Sequence, residues 1–188
     1  MALDQCSQYG LSQEEIFQAT ERTHRWAVRS RSAHKDETQS LFGIIQGGWD
    51  LDLRKYSVEF LTSLHFDGYA IGGMSVGEPK QVMYETVELM GQILPYEKPR
   101  YLMGVGTPSD ILGAVRRGVD MFDCVIPTRS GRTGLAFTWN GRINLKNSKY
   151  KNDDSPIDPA SNIRNLNAYS KSYINHLIHS NEILASMI

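Results

Sequence analysis

The sequence predicts an α/β protein with a parallel β-sheet, because short β-rich runs alternate with segments of helical periodicity. The β-rich runs lie at residues 41–48, 68–75, 100–106 and 121–127. Between them, apolar residues recur at helical spacing over residues 51–64, 79–94 and 107–117. Such repetition is typical of a doubly wound sheet or of a (β/α)8 barrel. A whole barrel needs about 250 residues, so 188 residues accommodate only about half of one.

The predicted helix starts carry the expected residues. Ser12 and Glu15 have the spacing of a capping box, which predicts a long helix ahead of the first β-rich run. Pro79 and Pro108 stand where a first-turn proline is favoured. Residues 1–6 are compatible with a further strand that is cut at its beginning.

The βα rhythm ends after residue 127. Residues 136–139 and 142–145 flank Asn140-Gly141, a dipeptide that favours a type I′ hairpin turn. Residues 146–167 are polar and predict a loop, and residues 169–187 return to helical periodicity.

Net charge, cysteine positions and hydropathy limit the classes of function that the chain can have. The net charge of −1 means that any RNA contact must come from a local basic cluster. Cys6 and Cys124 lie far apart in the chain and indicate neither a disulfide framework nor a thiolate metal site. There is no apolar run of about 18 residues, and the first ten residues lack the pattern of a signal peptide, so we expect a cytoplasmic protein.

The residues at the carboxyl ends of the strands are the candidates for chemistry, because a parallel barrel places its reactive groups there. The set offers two carboxylates, an amide, a thioether and an exposed backbone: Asp4, Gln46, Gly73, Met103 and Asp123. Such a rim suits a flat polar heterocycle. Taken singly, Asp4 is as compatible with a helix N-cap as with a role in chemistry, whereas Gln46 is more typical of a satisfied polar residue and Met103 of core packing.

Asp123 differs from the others because it lies among apolar neighbours, between Phe122 and Cys124. We expect these neighbours to exclude water and to tune its pKa. A basic cluster follows downstream: Arg129, Arg132, Arg142, Lys146, Lys149 and Lys151. A solvated loop explains this cluster about as well as an RNA-binding surface does.

Four segments of the chain carry distinctive motifs: FGIIQGG at 42–48, FDGYAIGG and VGEP within 66–79, PRYLMGVG at 99–106, and VDMFDCV and PTRSGR within 119–132. In this order they resemble signatures of the bacterial tRNA-guanine transglycosylases, also called queuine tRNA-ribosyltransferases. The resemblance runs from residue 1 to residue 188 and places the chain in the C-terminal half of such an enzyme. It implies a partial (β/α)8 TIM barrel of about four βα units, followed by a hairpin and helix subdomain.

The resemblance also implies a reaction, the exchange of the wobble guanine in GUN anticodons for the precursor base preQ1 in queuosine biosynthesis. Asp123 corresponds to the nucleophile that attacks the anomeric carbon of the ribose. Asp4, Gln46 and Gly73 correspond to positions that hydrogen-bond the base, and Met103 to the side chain stacked on it. The loop at 74–78 resembles the bacterial form, which admits preQ1 rather than queuine.

The implied partners are the tRNA anticodon loop and a free base, guanine or preQ1. The segment expected on the anticodon-loop phosphates comprises Arg129, Ser130, Gly131 and Arg132. The resemblance further implies a second copy of the chain, because the family dimerises, and an N-terminal half that is supplied either by another polypeptide or by a parent gene of which this chain is a fragment.

The sequence departs from the family pattern in its upstream part. The family carries a Thr-Asp-Ser-Gly-Gly-Phe-Gln segment whose aspartate binds the base, and these 188 residues contain no such segment. We therefore expect the chain alone to be inactive. Gln5 also stands where the family usually has glutamate.

The second departure concerns zinc, which the family holds with three cysteines and a histidine. The aligned positions are occupied by Ser161, Ile163, Leu166 and His176, of which only His176 is a zinc ligand. We expect no metal and no other cofactor.

Two other functions remain open. The chain is also compatible with a truncated, non-catalytic tRNA-binding or partner subunit of this family, and less well with a small-molecule (β/α) enzyme unrelated to RNA.

We expect the chain to have two parts. The first is a half-barrel over residues 1–128, and the second, over residues 129–188, comprises an RNA-contacting loop, a hairpin, a degenerate zinc subdomain and a C-terminal helix.

Overall fold

The computed structural model describes residues 1–163 and 166–188. Arg164 and Asn165, which fall within the predicted loop at 146–167, lie outside the described residues. The chain forms two compact units, Met1–Cys124 and Val125–Ile188. The sequence placed the division after residue 128, which lies inside a helix of the second unit.

The first unit is a mixed α/β structure on a four-stranded parallel sheet, as predicted. Its elements are α1 (Gln13–Ala33), β1 (Phe42–Ile45), α2 (Leu51–Thr62), β2 (Gly68–Ile71), α3 (Lys80–Ile93), β3 (Arg100–Leu102), α4 (Pro108–Val115) and β4 (Met121–Phe122). The strand order is β1-β2-β3-β4, so each strand pairs with the next one along the chain. The carboxyl ends of all four strands therefore lie at one edge of the sheet.

Local signals place the helix starts correctly in two cases. Both hydrogen bonds of the capping box between Ser12 and Glu15 are present at the start of α1. Pro108 is in the first turn of α4. Pro79 is instead the N-cap of α3, one position before the helix.

Residues 1–6, which the sequence allowed as a strand, are not part of the sheet ladder. The backbone N–H of Ala2 donates to the carbonyl oxygen of Phe42 at 2.8 Å, so the segment begins beside β1. This contact brings Asp4 to the carboxyl end of β1.

The core of the first unit lies between the sheet and its helices. Ile45, Ile71 and Leu102 come from successive strands and are buried together with Met90 of α3. Arg54 of α2 is also fully buried and donates from Nε to the carbonyl oxygen of Gly48 and from one terminal nitrogen to that of Ile45. The guanidinium thus satisfies carbonyl groups in the turn that follows β1.

The second unit contains α5 (Ile126–Thr133), β5 (Leu135–Thr138), β6 (Gly141–Asn144), 3₁₀ turns at Ser148–Tyr150 and Leu166–Ala168, α6 (Lys171–His179) and α7 (Leu184–Met187). Apolar residues from the end of the hairpin, from the loop after it and from α6 form its core. The predicted C-terminal helix is divided in two, and Asn181, between α6 and α7, has a φ of 56°. In the part of the chain that the structure describes, no helix is both long and apolar enough to cross a membrane.

The hairpin forms, but the expected type I′ turn at Asn140-Gly141 was wrong. Thr138 pairs with Gly141, which leaves Trp139 and Asn140 as the turn. A type I′ turn needs positive φ at both central residues, and only Gly141 of the expected pair has it, at 105°. The N–H of Trp139 donates to Asp158 at 2.9 Å, a tertiary contact that holds the turn in this register.

Gly91→Ala should destabilise the first unit. Alanine favours a helix over glycine by about 0.5–1 kcal/mol, but a Cβ at Gly91 would collide with the carbonyl oxygen of Arg117. Because that obstacle is backbone, we expect the steric cost to dominate and the free energy of unfolding to fall by about 1–3 kcal/mol in denaturant titrations. Gln92→Ala, an exposed neighbour in α3, is the control. An unfolding free energy that is unchanged or higher in Gly91→Ala would contradict the packing of α3 against α4.

Candidate active site

The strand register aligns the candidate residues in one row. Ile45 pairs with Ile71, Ile71 with Leu102, and Leu102 with Phe122. The residues one position beyond these four are Gln46, Gly72, Met103 and Asp123. Neighbouring strands lie about 4.8 Å apart, so the row extends roughly 15 Å across the carboxyl edge of the sheet.

One end of the row is a polar cluster. The side-chain amide of Gln46 donates from Nε2 to Oδ2 of Asp4 at 2.6 Å. Gln46 is only 1% exposed, and its Oε1 has no hydrogen-bond partner among the described residues. A buried carbonyl without a donor is costly, so this oxygen has an unused capacity to accept a hydrogen bond.

Gly73 is required by the geometry of this cluster. Its φ is 67°, in the left-handed region that favours glycine. A Cβ at this position would lie 2.6 Å from Oε1 of Gln46. The glycine therefore keeps the space in front of the Gln46 amide open.

Asp123, at the other end of the row, is exposed, so the expectation that its apolar neighbours exclude water was wrong. Its Oδ1 accepts from the backbone N–H of Gly104 at 2.9 Å and from the hydroxyl of Tyr101 at 2.7 Å. These two bonds, the Gly104 bond first, hold the pKa of Asp123 below its usual value. Burial and the bond to Asp123 raise the pKa of Tyr101 to about 12. The pair is therefore a carboxylate and a neutral phenol at neutral pH.

Sequence reasoning missed Tyr101. The signal that could have found it is its position two residues before Met103, because alternate residues of a strand share a face. Met103 itself, one position beyond β3, is partly exposed and is not among the residues of the apolar core of the first unit.

Two neighbouring segments are shaped by contacts that the sequence did not predict. The backbone N–H of Gln5 donates to Thr23 of α1 at 2.9 Å, and Arg22 donates to the side-chain oxygen of Gln5. Gln5 is thus held by α1. In the loop at 74–78, Glu78 accepts from the backbone N–H groups of Ser75, at 2.5 Å, and Val76, at 2.8 Å.

The residues expected on RNA belong to α5 of the second unit. Arg129 and Arg132 are exposed. Ser130 is only 8% exposed, and a Cβ at Gly131 would lie 3.3 Å from the carbonyl oxygen of Ser186, so the helix presents its arginines rather than these two positions to solvent.

The four positions aligned with zinc ligands do not form a metal-binding donor set. Leu166 packs against the apolar core of the second unit, and Ile163 is 64% exposed. The hydroxyl of Ser161 accepts from the N–H of Ile163, and His176 is exposed on α6. Among the described residues, no group of three or more His, Cys, Asp or Glu side chains is placed to hold a metal.

The fold and the row define a parallel α/β protein that carries a polar cluster and an ionised carboxylate at the carboxyl edge of its sheet. Comparison with known proteins agrees with this class: the profile of the family described as queuine tRNA-ribosyltransferase matches residues 1–188. The chain belongs to this family.

Curated relatives carry the same description. The queuine tRNA-ribosyltransferase of Pelotomaculum thermopropionicum is 53% identical over 184 residues, which cover 98% of this chain and 50% of that protein. Those of Desulforamulus reducens and Rickettsia typhi are each 50% identical, over 98% and 100% of this chain and over 50% and 52% of the respective relative. The chain thus spans about half the length of the curated relatives it matches.

Tyr101→Phe should raise the pKa of Asp123. The substitution removes one of the two hydrogen bonds that favour the carboxylate and keeps the bond from Gly104, so the pKa should move up toward its usual value and remain below it. A carboxyl carbon NMR titration of Asp123 measures the change, with Tyr96→Phe, at a tyrosine that is 93% exposed, as the control. An unchanged or lower pKa in Tyr101→Phe would show that the hydroxyl does not bond the carboxylate.

Proposed function

We propose that this chain carries the base-exchange site of a tRNA-guanine transglycosylase that replaces the wobble guanine of GUN anticodons with preQ1, as in queuosine biosynthesis. The observation that carries the proposal is the register that sets Asp123 in one row with Gln46, next to Asp4. A nucleophile and a base-recognition cluster on one sheet edge are what base exchange at a ribose carbon needs.

Asp123 acts as the nucleophile in this proposal. One carboxylate oxygen attacks C1′ of the nucleotide, the C1′–N9 bond breaks, and guanine departs with its bonding electrons and gains a proton. N9 of preQ1 then attacks C1′, loses its proton and displaces the carboxylate. Two displacements retain the configuration and need no energy source, and a carboxylate also stabilises the oxocarbenium-like transition states.

Gln46, Asp4 and Gly73 read the base. The ring N–H and amino group of guanine are donors, and the carboxylate of Asp4 and the unpartnered Oε1 of Gln46 are acceptors. The backbone next to Gly73, which has no Cβ, is open to the carbonyl oxygen of the base. Met103 supplies a polarisable surface for the ring face, and the loop at 74–78 admits the aminomethyl group of preQ1.

Arg129 and Arg132 of α5 are proposed to contact phosphates of the anticodon loop, a single-stranded target.

The strand order β1-β2-β3-β4, without reversal among the described strands, supports the assignment of the first unit to half of a (β/α)8 barrel. Because the relatives are about twice as long, we propose that exchange requires a further, upstream half, which supplies a third aspartate to the site. We propose also that the chain pairs with a second copy of itself and that it acts in the cytoplasm, where tRNA is modified.

We propose further that the second unit folds without zinc. Three of the four aligned positions lack a metal-binding group, and Leu166 contributes instead to an apolar cluster with Leu145, Tyr150, Ile157 and Ile174. Apolar burial there replaces the stabilisation that metal ligation gives related folds.

Asp123→Asn should abolish exchange. The test supplies the chain with the upstream half of the Pelotomaculum thermopropionicum protein and measures the incorporation of labelled guanine into tRNA. We expect incorporation by the reconstituted wild type only, with Asp123→Asn and the unsupplemented chain at the level of the no-enzyme control. The amide should leave the affinity for tRNA within a few-fold, because it removes the nucleophile but little contact area.

Arg132→Ala is the complementary variant. It should weaken tRNA binding, and it should reduce the slope of log affinity against log salt concentration by about the contribution of one phosphate contact. Exchange that persists in Asp123→Asn would identify another nucleophile. Failure of the reconstituted wild type to exchange, with retained tRNA binding, would favour a non-catalytic tRNA-binding subunit.

Metal analysis should find no stoichiometric zinc in the purified chain. Inductively coupled plasma mass spectrometry after gel filtration measures the zinc content. Leu166→Ala should lower the free energy of unfolding by about 1–2 kcal/mol, less than at a fully buried leucine, because Leu166 packs only partly buried against the cluster. One zinc per chain that survives gel filtration would refute the alignment of residues 161–176 with the family's metal ligands.

A further inference from the structure

A buried histidine in α1 is connected to the base-recognition cluster through one serine. We propose that His24 is a positioning residue for base recognition, which acts through Ser57 to orient Gln46. This inference rests on the proposed function. It concerns contacts made by helices behind the sheet edge, and none of the residues singled out from the sequence includes His24 or Ser57.

His24 is held on several sides. It is 2% exposed, and its ring stacks on Phe60 of α2, with 4.2 Å between the ring centroids and 11° between the planes. Nε2 lies 3.0 Å from Oγ of Ser57, and Nδ1 lies 3.4 Å from a carboxylate oxygen of Glu21. Burial lowers the pKa of His24, which favours the neutral ring with one donor and one acceptor nitrogen.

The electrostatics favour one position for the proton of the neutral ring. Nδ1 makes no hydrogen bond among the described residues, but it lies 3.4 Å from the carboxylate of Glu21, whose charge favours a proton on the nitrogen that faces it, so we infer that Nδ1 is protonated. Nε2 is then an acceptor, and the hydroxyl of Ser57 must donate to it. The hydroxyl proton of Ser57 therefore points toward His24 in α1, and the lone pairs of Oγ can accept hydrogen bonds from other groups.

Gln46 uses one of those lone pairs. Its backbone N–H, the first beyond β1, donates to Oγ of Ser57 at 3.3 Å. The bond is long, so it depends on the orientation of the hydroxyl. Without His24, the hydroxyl of Ser57 is free to turn to the carbonyl of its own helix four residues earlier, as serine commonly does.

The orientation of the Gln46 backbone matters because its side chain has little freedom of its own. Nε2 is tied to Asp4 at 2.6 Å, and the unpartnered Oε1 faces Gly73. A rotation of the peptide at Gln46 moves both polar atoms of its side-chain amide, Nε2 and Oε1, relative to the base. His24 therefore affects the affinity for the base and not the step at Asp123, which lies three strands away.

Kinetics with a limiting free base separate positioning from a general loss of structure. The reconstituted protein described above exchanges labelled guanine, and KM for guanine and kcat are measured for His24→Leu, His24→Gln and Ser57→Ala. We expect His24→Leu and Ser57→Ala to raise KM about 3- to 10-fold, the size of one neutral hydrogen bond, with kcat within about 2-fold. His24→Gln, whose amide oxygen reaches the position of Nε2, should restore most of the affinity.

Thr20→Val is the matched control. Thr20 is buried in α1 like His24, and its hydroxyl donates to the carbonyl oxygen of Ile16 within the same helix. We expect it to leave KM unchanged. If Thr20→Val raises KM as much as His24→Leu, or if both variants lower kcat with unchanged KM, then His24 has only a structural role and the inference fails.

A spectroscopic test on the unsupplemented 188-residue chain does not require activity. Nitrogen-15 NMR of the imidazole should show the Nδ1–H tautomer, and His24→Leu should shift the amide signal of Gln46 while Thr20→Val does not. An Nε2–H tautomer, or a Gln46 signal indifferent to His24→Leu, overturns the inference. Absence of exchange in the reconstituted wild type overturns the proposed function itself, whereas exchange with KM unchanged in all His24 and Ser57 variants overturns only the role of His24.

Discussion

The shared register of four parallel strands is the constraint on which the rest of the site depends. Because Ile45, Ile71, Leu102 and Phe122 are aligned by pairing, the residues that follow them must lie side by side. A shift of one strand by one residue would turn its terminal side chain to the other face of the sheet. The burial of Ile71 and Leu102 in one core therefore also secures the spacing of the groups to which we assign the chemistry.

The two ends of the row differ in environment, and the difference suits their proposed roles. Gln46 is buried, with an unpartnered oxygen whose cost a matching base relieves. Asp123 is exposed and kept ionised by two hydrogen bonds to one oxygen, which leaves the other oxygen without a bond to those donors. A recognition group benefits from exclusion of water, whereas a nucleophile that attacks a bulky nucleotide needs access. The chain therefore tunes Asp123 through direct donors and not through burial.

The sequence predicted the features that depend on local pattern. The starts of the four strands, the capping box at Ser12 and the parallel sheet follow from periodicity and short-range chemistry, whereas each strand ends three to five residues before its β-rich run does. It did not predict the hydroxyl of Tyr101 on Asp123, because that bond joins residues 22 positions apart and depends on the pairing of β3 with β4. The hairpin turn was mispredicted for the same reason: the contact between Trp139 and Asp158 prevails over the local preference of Asn140-Gly141.

The most direct test of the central claim is to locate the covalent intermediate. The chain, supplied with the upstream half of a relative, is incubated with tRNA and denatured, and the product is digested with nuclease and protease and analysed by tandem mass spectrometry. The account predicts one ribonucleotide on the peptide that contains Asp123, with the fragment ions placing the mass on that side chain. A ribonucleotide on Asp4, on Asp120 or on the upstream half would contradict the account, because the aligned row would then not hold the nucleophile.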